Sequence, residues 1–315
     1  MNRKDTASTR PQVVFFGSGP VAAESLELLS QWCEIEAVIT KPRPEHHHEA
    51  FPVLTVAKAH SFRTITAANR RELNEAIRKQ TFTSCVAVLI DFGIIVSPEV
   101  IDTFELGIIN SHFSLLPEWR GADPITFAIL SGQAETGVSL MLLVEAMDEG
   151  PILAQAPYQL PPDYTTPQLT ADLITLSNES LKSILPLYLE GHALPMPQEQ
   201  ALVPRHEVTS YSRKLTKADG VLDFTKSAEQ LEREIRAFIE WPKSRTQLAG
   251  KDVIITKAHA TALDRPGKKA GDTEAAPQTG LIIIQTARGQ LCIERLKPAG
   301  KNEMSVAAFL AGNAL

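Results

Sequence analysis

Apolar residues gather into short runs separated by polar stretches marked with Gly and Pro. Residues 13–16 (Val-Val-Phe-Phe) form one run, and residues 35–39, 86–90, 107–109, 138–144 and 152–160 form others. Val86-Ala87-Val88-Leu89-Ile90 has no polar position, the pattern of a strand covered on both faces. Between the runs the period lengthens. Residues 20–32, 52–60, 70–80, 124–131 and 166–190 read as helices. Strand–helix alternation predicts an α/β domain that is Rossmann-like, with a largely parallel sheet and helices on both faces.

After residue 190 the pattern changes. Residues 191–208 hold three prolines and little periodicity, and read as a linker. One helix is clear beyond it, at 228–239, with Leu231, Ile235, Phe238 and Ile239 on one side. Short strands follow at 246–248, 253–256, 281–285 and 291–294, and a short helix closes the chain at 305–310. Residues 260–279 are polar and read as a mobile loop. Short strands with Gly turns predict a small OB-like β-barrel. The expected organisation is a disordered tail (1–11), a first domain (12–190), the linker (191–208) and a second domain (209–315).

Composition narrows the classes. A chain of 315 residues can bury two cores. No apolar run approaches the roughly 20 residues of a membrane span, and the polar tail lacks an apolar signal core. Cys33, Cys85 and Cys292 are far apart and form no Cys-x-x-Cys pair. That argues against a zinc site of this type and fits a reducing cytoplasm. The net charge of −6 hides an asymmetry: residues 1–204 carry 13 Lys and Arg against 24 Asp and Glu, and residues 205–315 carry 18 against 13. A basic second half fits an RNA-holding appendage, and equally a mildly basic domain with solvated charges.

The turn Gly17-Ser18-Gly19-Pro20-Val21-Ala22 matches G-x-G-x-x-A, but the next strand ends in Thr40-Lys41 without an acidic residue for a ribose hydroxyl. A nicotinamide cofactor is therefore disfavoured. The turn either lets strand and helix pack closely or meets an anion. His46, His47 and His48 lie side by side in the loop 42–51, where consecutive side chains splay apart and do not share one metal ion.

Candidate chemistry centres on Asn110 and His112. They follow the apolar run 107–109, and Pro117 and Gly121 then turn the chain. Two apart at the carboxyl end of a strand, they point into one crevice. Asn offers an uncharged amide and His a proton carrier. Asp148 follows the run 138–144 in the same way. Together the three are suited to hold a carbonyl oxygen, move a proton and orient the proton carrier.

Asn110-Ser111-His112 with Ser114-Leu115-Leu116-Pro117, and Asp148-x-Gly150-x-x-Leu153, resemble the signature of the folate-dependent formyltransferases. The resemblance runs from about Val13 to the C-terminus. Residues 211–217, 236–242 and 297–301 resemble the second domain of the branch acting on methionyl-tRNA. The resemblance implies that Asn110 holds the formyl oxygen, that His112 adds a donor or shuttles a proton, and that Asp148 orients His112. It implies 10-formyltetrahydrofolate as co-substrate, near Phe92, Gly93, Ile95, Ser114, Leu115, Leu116, Pro117, Val144 and Met147. It implies initiator methionyl-tRNA as acceptor, held by Lys41, Arg43, Arg120, Arg213, Lys214, Lys217, Lys243 and Arg245. No metal and no membrane are implied, and a cytoplasmic monomer is expected. Two other readings stay open: a sugar-nucleotide N-formyltransferase with the same co-substrate, and a non-catalytic folate- or RNA-binding protein. Three roles also stay open. Asp91 either bonds backbone at its strand end or meets the pterin. Asp123 either caps the following helix or meets the substrate amine. Arg120 either neutralises an anion or steadies the turn.

Overall fold

The computed structural model describes residues 10–43, 51–200 and 209–315. Most of the expected tail, the His46-His47-His48 run and the end of the expected linker lie outside the described residues. The chain begins β1 (Gln12–Phe16), α1 (Pro20–Ser30), β2 (Glu34–Thr40), α2 (Pro52–Ala59), β3 (Thr64–Thr66), α3 (Arg70–Arg78), β4 (Ala87–Leu89) and α4 (Pro98–Ile101). It continues with β5 (Ile108–His112), β6 (Arg120–Gly121), α5 (Pro124–Ser131), β7 (Glu135–Leu142), β8 (Ile152–Gln159) and α6 (Thr166–Leu189). After a 3-10 turn at Gln198–Gln200 come β9 (Tyr211–Ser212), α7 (Ala228–Ala237), β10 (Arg245–Leu248) and β11 (Lys251–Thr261). The chain closes with β12 (Thr273–Ala276), β13 (Leu281–Gln285), β14 (Gln290–Pro298), β15 (Met304–Ser305) and α8 (Val306–Leu310).

Two compact units result, and no single cut in the chain separates them. One comprises Met1–Gly121, Thr136–Tyr158 and Thr170–Tyr211; the other comprises Ala122–Glu135, Gln159–Leu169 and Ser212–Leu315.

The first unit holds a seven-stranded sheet in the order β3-β2-β1-β4-β5-β7-β8. Strands β3, β2, β1, β4 and β5 pair in parallel, and β7 joins β5 antiparallel. Val13, Val14, Phe15 and Phe16 are all fully buried, so both faces of β1 are covered. On one face Val14, Phe16, Ala37, Ile39, Leu89 and Ile108 pack with Leu73 and Ile77 of α3 and Val100 of α4. On the other, Trp32, just past α1, donates its indole N–H to Asn178 of α6 at 2.9 Å. The glycine turn serves packing: a Cβ on Gly17 would lie 2.5 Å from the Ala22 Cβ, and one on Gly19 would lie 1.8 Å from Asp91 Oδ2. The Asp91 main-chain carbonyl accepts from Ser18 N–H at 2.9 Å.

The start of the expected linker is tied down. Ile152 and Met196 exchange both backbone hydrogen bonds, at 2.7 and 2.8 Å. Prolines remove donors, but the donors and acceptors that remain beside a buried strand still need partners.

The second unit holds an antiparallel sheet in the order β10-β11-β14-β13-β12, with β15 on β14. It is half a barrel. Leu231 and Ile235 of α7 and Val306 and Phe309 of α8 fill its core with Val253, Ile255, Ile282, Ile284, Leu291 and Ile293. The expected loop at 260–279 instead carries the end of β11 and the strand β12, which pairs with β13 from Thr273↔Ile284 to Ala276↔Leu281. Thr273-Glu274-Ala275-Ala276 has no apolar alternation, and its pairing comes from the apolar neighbour strand.

Asp123 occupies the N-cap position of α5, but its side chain makes no cap hydrogen bond; its backbone N–H donates to Ser212 Oγ at 3.1 Å. Burial pushes its carboxyl above the ordinary value. A raised folded-state value means the folded form binds the proton more tightly than the unfolded chain. Stability is therefore lost as pH rises through the carboxylate range and stays lost above the raised value. Asp123→Asn removes this cost and should raise the thermal midpoint at neutral pH, with the gain shrinking toward pH 3. Equal gains at both pH values would show that no buried charge is involved.

Candidate active site

The pleat of β5 decides which side chains reach the crevice. Ser111 shares a 2.7 Å hydroxyl hydrogen bond with Ser177 of α6, whereas Ile108 joins the core on the α3 side. Asn110 and His112 take the Ile108 face by alternation. They lie at the carboxyl end of β5, which runs through His112. Leu89 of β4 pairs with Asn110, and Ser139 of β7 pairs with His112, so neighbours on both sides extend the ladder. Both residues are nearly buried, at 7% and 6% exposure. Among the described residues the Asn110 side chain has no hydrogen-bond partner. A nearly buried amide without one is a ready donor for a ligand oxygen.

His112 Nε2 lies 3.0 Å from the Trp119 carbonyl. A carbonyl only accepts, so Nε2 carries a proton and the ring presents Nδ1 to Asp148. Asp148 Oδ1 is 3.8 Å from Nδ1, beyond hydrogen-bond distance. The Trp119 carbonyl holds the ring by a hydrogen bond, while Asp148 faces Nδ1 across 3.8 Å as an ion-pair partner. The other Asp148 oxygen, Oδ2, accepts from Gly121 N–H at 2.7 Å. Trp119 and Asp148 both have left-handed backbones, with φ of 52° and 54°. Such residues persist where surrounding bonds over-determine them. Trp119 N–H donates to Ser210 Oγ at 2.9 Å.

The site's support is polar and buried. Ser114 Oγ donates to the Glu118 carbonyl at 2.5 Å. Ser139 Oγ donates to the Ser114 carbonyl at 2.7 Å and accepts from Leu116 N–H at 2.9 Å. Gln155 Nε2 donates to the Leu116 carbonyl at 2.8 Å. Among the described residues no group of three or more His, Cys, Asp or Glu is placed to hold a metal ion, and no helix is long and apolar enough to cross a membrane.

Residues 12–185 match the Formyl transferase model, and residues 214–314 match the model of the formyl transferase C-terminal domain. The chain belongs to the formyl transferase family. Membership makes it a formyl-transferring enzyme. It is 35% identical to the methionyl-tRNA formyltransferase of Myxococcus xanthus over 98% of this chain and 96% of that protein. It is 37% identical to that of Halorhodospira halophila over 96% and 97%. Among solved structures, an N-formyltransferase from Helicobacter canadensis in complex with folinic acid and dTDP-3-aminofucose shares the fold, with a TM-score of 0.65 and 18% identity over 90% of this chain and 98% of that one.

Within this formyl transferase the residues expected around the co-substrate divide in two. Ile95, Val144 and Met147 are exposed, at 61%, 37% and 64%. Large apolar side chains at strand ends are suited to a flat ring. Gly93 is exposed as well, and the ammonium of Lys41 reaches it, lying 2.9 Å from where a Cβ would stand. By contrast Phe92 is buried and packs edge-on against Phe16 at 5.5 Å. Ser114 and Leu115 are buried, as is Leu116, which packs with Met141 and Ile152. These four belong to the packed interior. Pro117 is half-buried, after a cis peptide bond.

The basic residues also divide. Arg120 is engaged: Nη1 meets the carboxylate of Glu149 at 3.1 Å, the carboxylate-neutralising alternative, and Nη2 donates to Gln198 Oε1 at 2.6 Å. Arg43 is exposed. In the second unit Arg213 is paired with Asp219 at 2.5 and 3.0 Å, and Arg245 donates to the Lys217 carbonyl. Lys214, Lys217 and Lys243 are exposed. Sequence reasoning missed the Trp119 carbonyl, Ser139, Gln155 and Gln198. Nothing in their local pattern marks them, because each acts on a group distant in the chain.

Asn110→Ala should lower kcat/KM by about 10²–10³-fold, or ~2.7–4 kcal/mol, the usual loss for an oxyanion donor. The fold should persist, since the amide has no hydrogen-bond partner among the described residues. Near-normal turnover in the folded variant would remove Asn110 from the reaction.

Proposed function

We propose that this enzyme transfers the formyl group of 10-formyltetrahydrofolate to the α-amino group of methionine on initiator methionyl-tRNA, as a cytoplasmic monomer. The observation that carries the choice of acceptor is end-to-end similarity to proteins named methionyl-tRNA formyltransferase, second domain included. The amine attacks the formyl carbon and negative charge collects on the formyl oxygen. Asn110 donates to that oxygen from its unengaged amide. The amine loses its proton on the side lined by Asp148 Oδ1 and His112 Nδ1, whose 3.8 Å separation leaves both atoms accessible to a proton or a bridging water. His112 keeps Nε2–H on the Trp119 carbonyl, so its exchangeable position is Nδ1; the proton taken from the amine passes from there to the folate nitrogen as the bond between that nitrogen and the formyl carbon breaks, the oxygen regains its double bond, and tetrahydrofolate leaves. Ile95, Val144 and Met147 offer apolar contact to the pterin ring, and Lys41, beside Gly93, supplies positive charge at the same end of the sheet.

In the second unit Lys214, Lys217 and Lys243 are the phosphate-binding residues we assign. Arg213 and Arg245 are spent on partners within the protein and contribute less. The acceptor is tested by offering charged initiator tRNA and dTDP-3-aminofucose separately, each with 10-formyltetrahydrofolate. Formylation of the tRNA is expected, and formylation of the amino sugar alone would overturn the assignment. A Lys214→Ala/Lys217→Ala protein should bind tRNA more weakly, with the slope of log affinity against log salt reduced by about 1 for each phosphate left without its lysine. Folate affinity should be unaltered. Equal tRNA affinities and slopes across the salt series would exclude both lysines from the path.

A further inference from the structure

We infer that Gln198 is a positioning residue that sets the catalytic conformation of the Asp148 loop; the inference rests on the role given to Asp148 above. Its side-chain amide donates to two carbonyls of that loop, Asp148 O at 2.7 Å and Gly150 O at 2.9 Å. Its Oε1 accepts from Arg120 Nη2 at 2.6 Å, and Arg120 Nη1 holds Glu149 at 3.1 Å. Asp148, Glu149 and Gly150 are thus gripped in succession by one Gln–Arg pair. Gln198 is 6% exposed, so its hydrogen bonds are shielded from water.

The grip matters because of what Asp148 does with its backbone. At φ 54° it holds a conformation that an L side chain rarely adopts. That conformation lets Oδ2 meet Gly121 N–H while Oδ1 faces His112. Gly150 adds a second constraint: a Cβ there would lie 1.7 Å from the Leu142 carbonyl, so the loop sits tight against the end of β7. Gln198 is delivered by the Met196–Ile152 backbone pairing two residues earlier and by its own 3-10 turn. Arg120 is the residue before Gly121, so one short stretch both braces Gln198 and supplies the donor to the carboxylate.

The test compares Gln198→Glu, Gln198→Leu and Asp148→Asn proteins. Glu keeps the size and the acceptor for Arg120 but has neither N–H donor and faces two carbonyls. A role in packing alone predicts that Glu is tolerated; positioning predicts that Glu and Leu both lower kcat by about 10²-fold, the cost of roughly 1 Å of misplacement. In the Asp148→Asn background either change should add little. The ¹⁵N resonances of the His112 ring, recorded on folded protein without substrate, should shift in Gln198→Leu as they do in Asp148→Asn. If the leucine variant does not fold, Gln198→Asn, one methylene short, replaces it. Wild-type kcat in Gln198→Glu, undiminished loss in the Asp148→Asn background, or an unmoved His112 signal would each overturn the inference. If the wild type formylates neither acceptor, the proposed function fails on its own, and the ring resonances still decide the role of Gln198.

Discussion

Everything at the crevice depends on the register of one strand. β5 is paired on both sides, parallel to β4 and antiparallel to β7. A one-residue slip would exchange its two faces. The Ser111–Ser177 hydrogen bond and the seat of Ile108 in the core both hold the observed register. Asn110 and His112 are therefore presented by a rigid, buried element.

The loops add what a strand does not supply. A strand end offers side chains in one direction, whereas here groups from three segments converge at His112. Left-handed turns at Trp119 and Asp148 produce that convergence. One brings a carbonyl to His112 Nε2, and the other aims a carboxylate toward Nδ1. Both turns are braced by groups outside them. Ser210 holds the first, and Gln198 and Gly121 hold the second. The segment after α6 is thus part of the site's support as well as a connection.

The same logic sorts the charged residues. Arg213 and Arg120 have carboxylate partners of their own, with Asp219 and Glu149, so their charge is spent locally. Burial raises the carboxyl of Asp123 and the thiol of Cys33, the latter to about 12, and leaves Cys33 unreactive. Charge counts along the chain do not separate such engaged groups from exposed ones such as Lys214 and Lys217.

Apolar periodicity alone determined the main strands of the first unit, the long helix α6, the helix α7 and most strands of the half-barrel, because each buries a face that its own sequence must make apolar. The polar set Asn110, His112 and Asp148 was visible in the sequence through its strand-end positions and the motif it shares with the formyltransferases, and the fold brings His112 and Asp148 within 3.8 Å. Tertiary structure decided the rest. Strand β12 has no apolar alternation and exists through its partner β13. The Met196 and Gln198 hydrogen bonds lie in a stretch whose prolines mark a linker. Phe92 and Leu116 have the composition of pocket residues, yet packing turned them inward. That His112 meets the Trp119 carbonyl at 3.0 Å on one ring nitrogen and Asp148 at 3.8 Å on the other was set by the loops that bring both groups to it. Local sequence sets what each residue is able to do, and long-range packing sets which partner it meets.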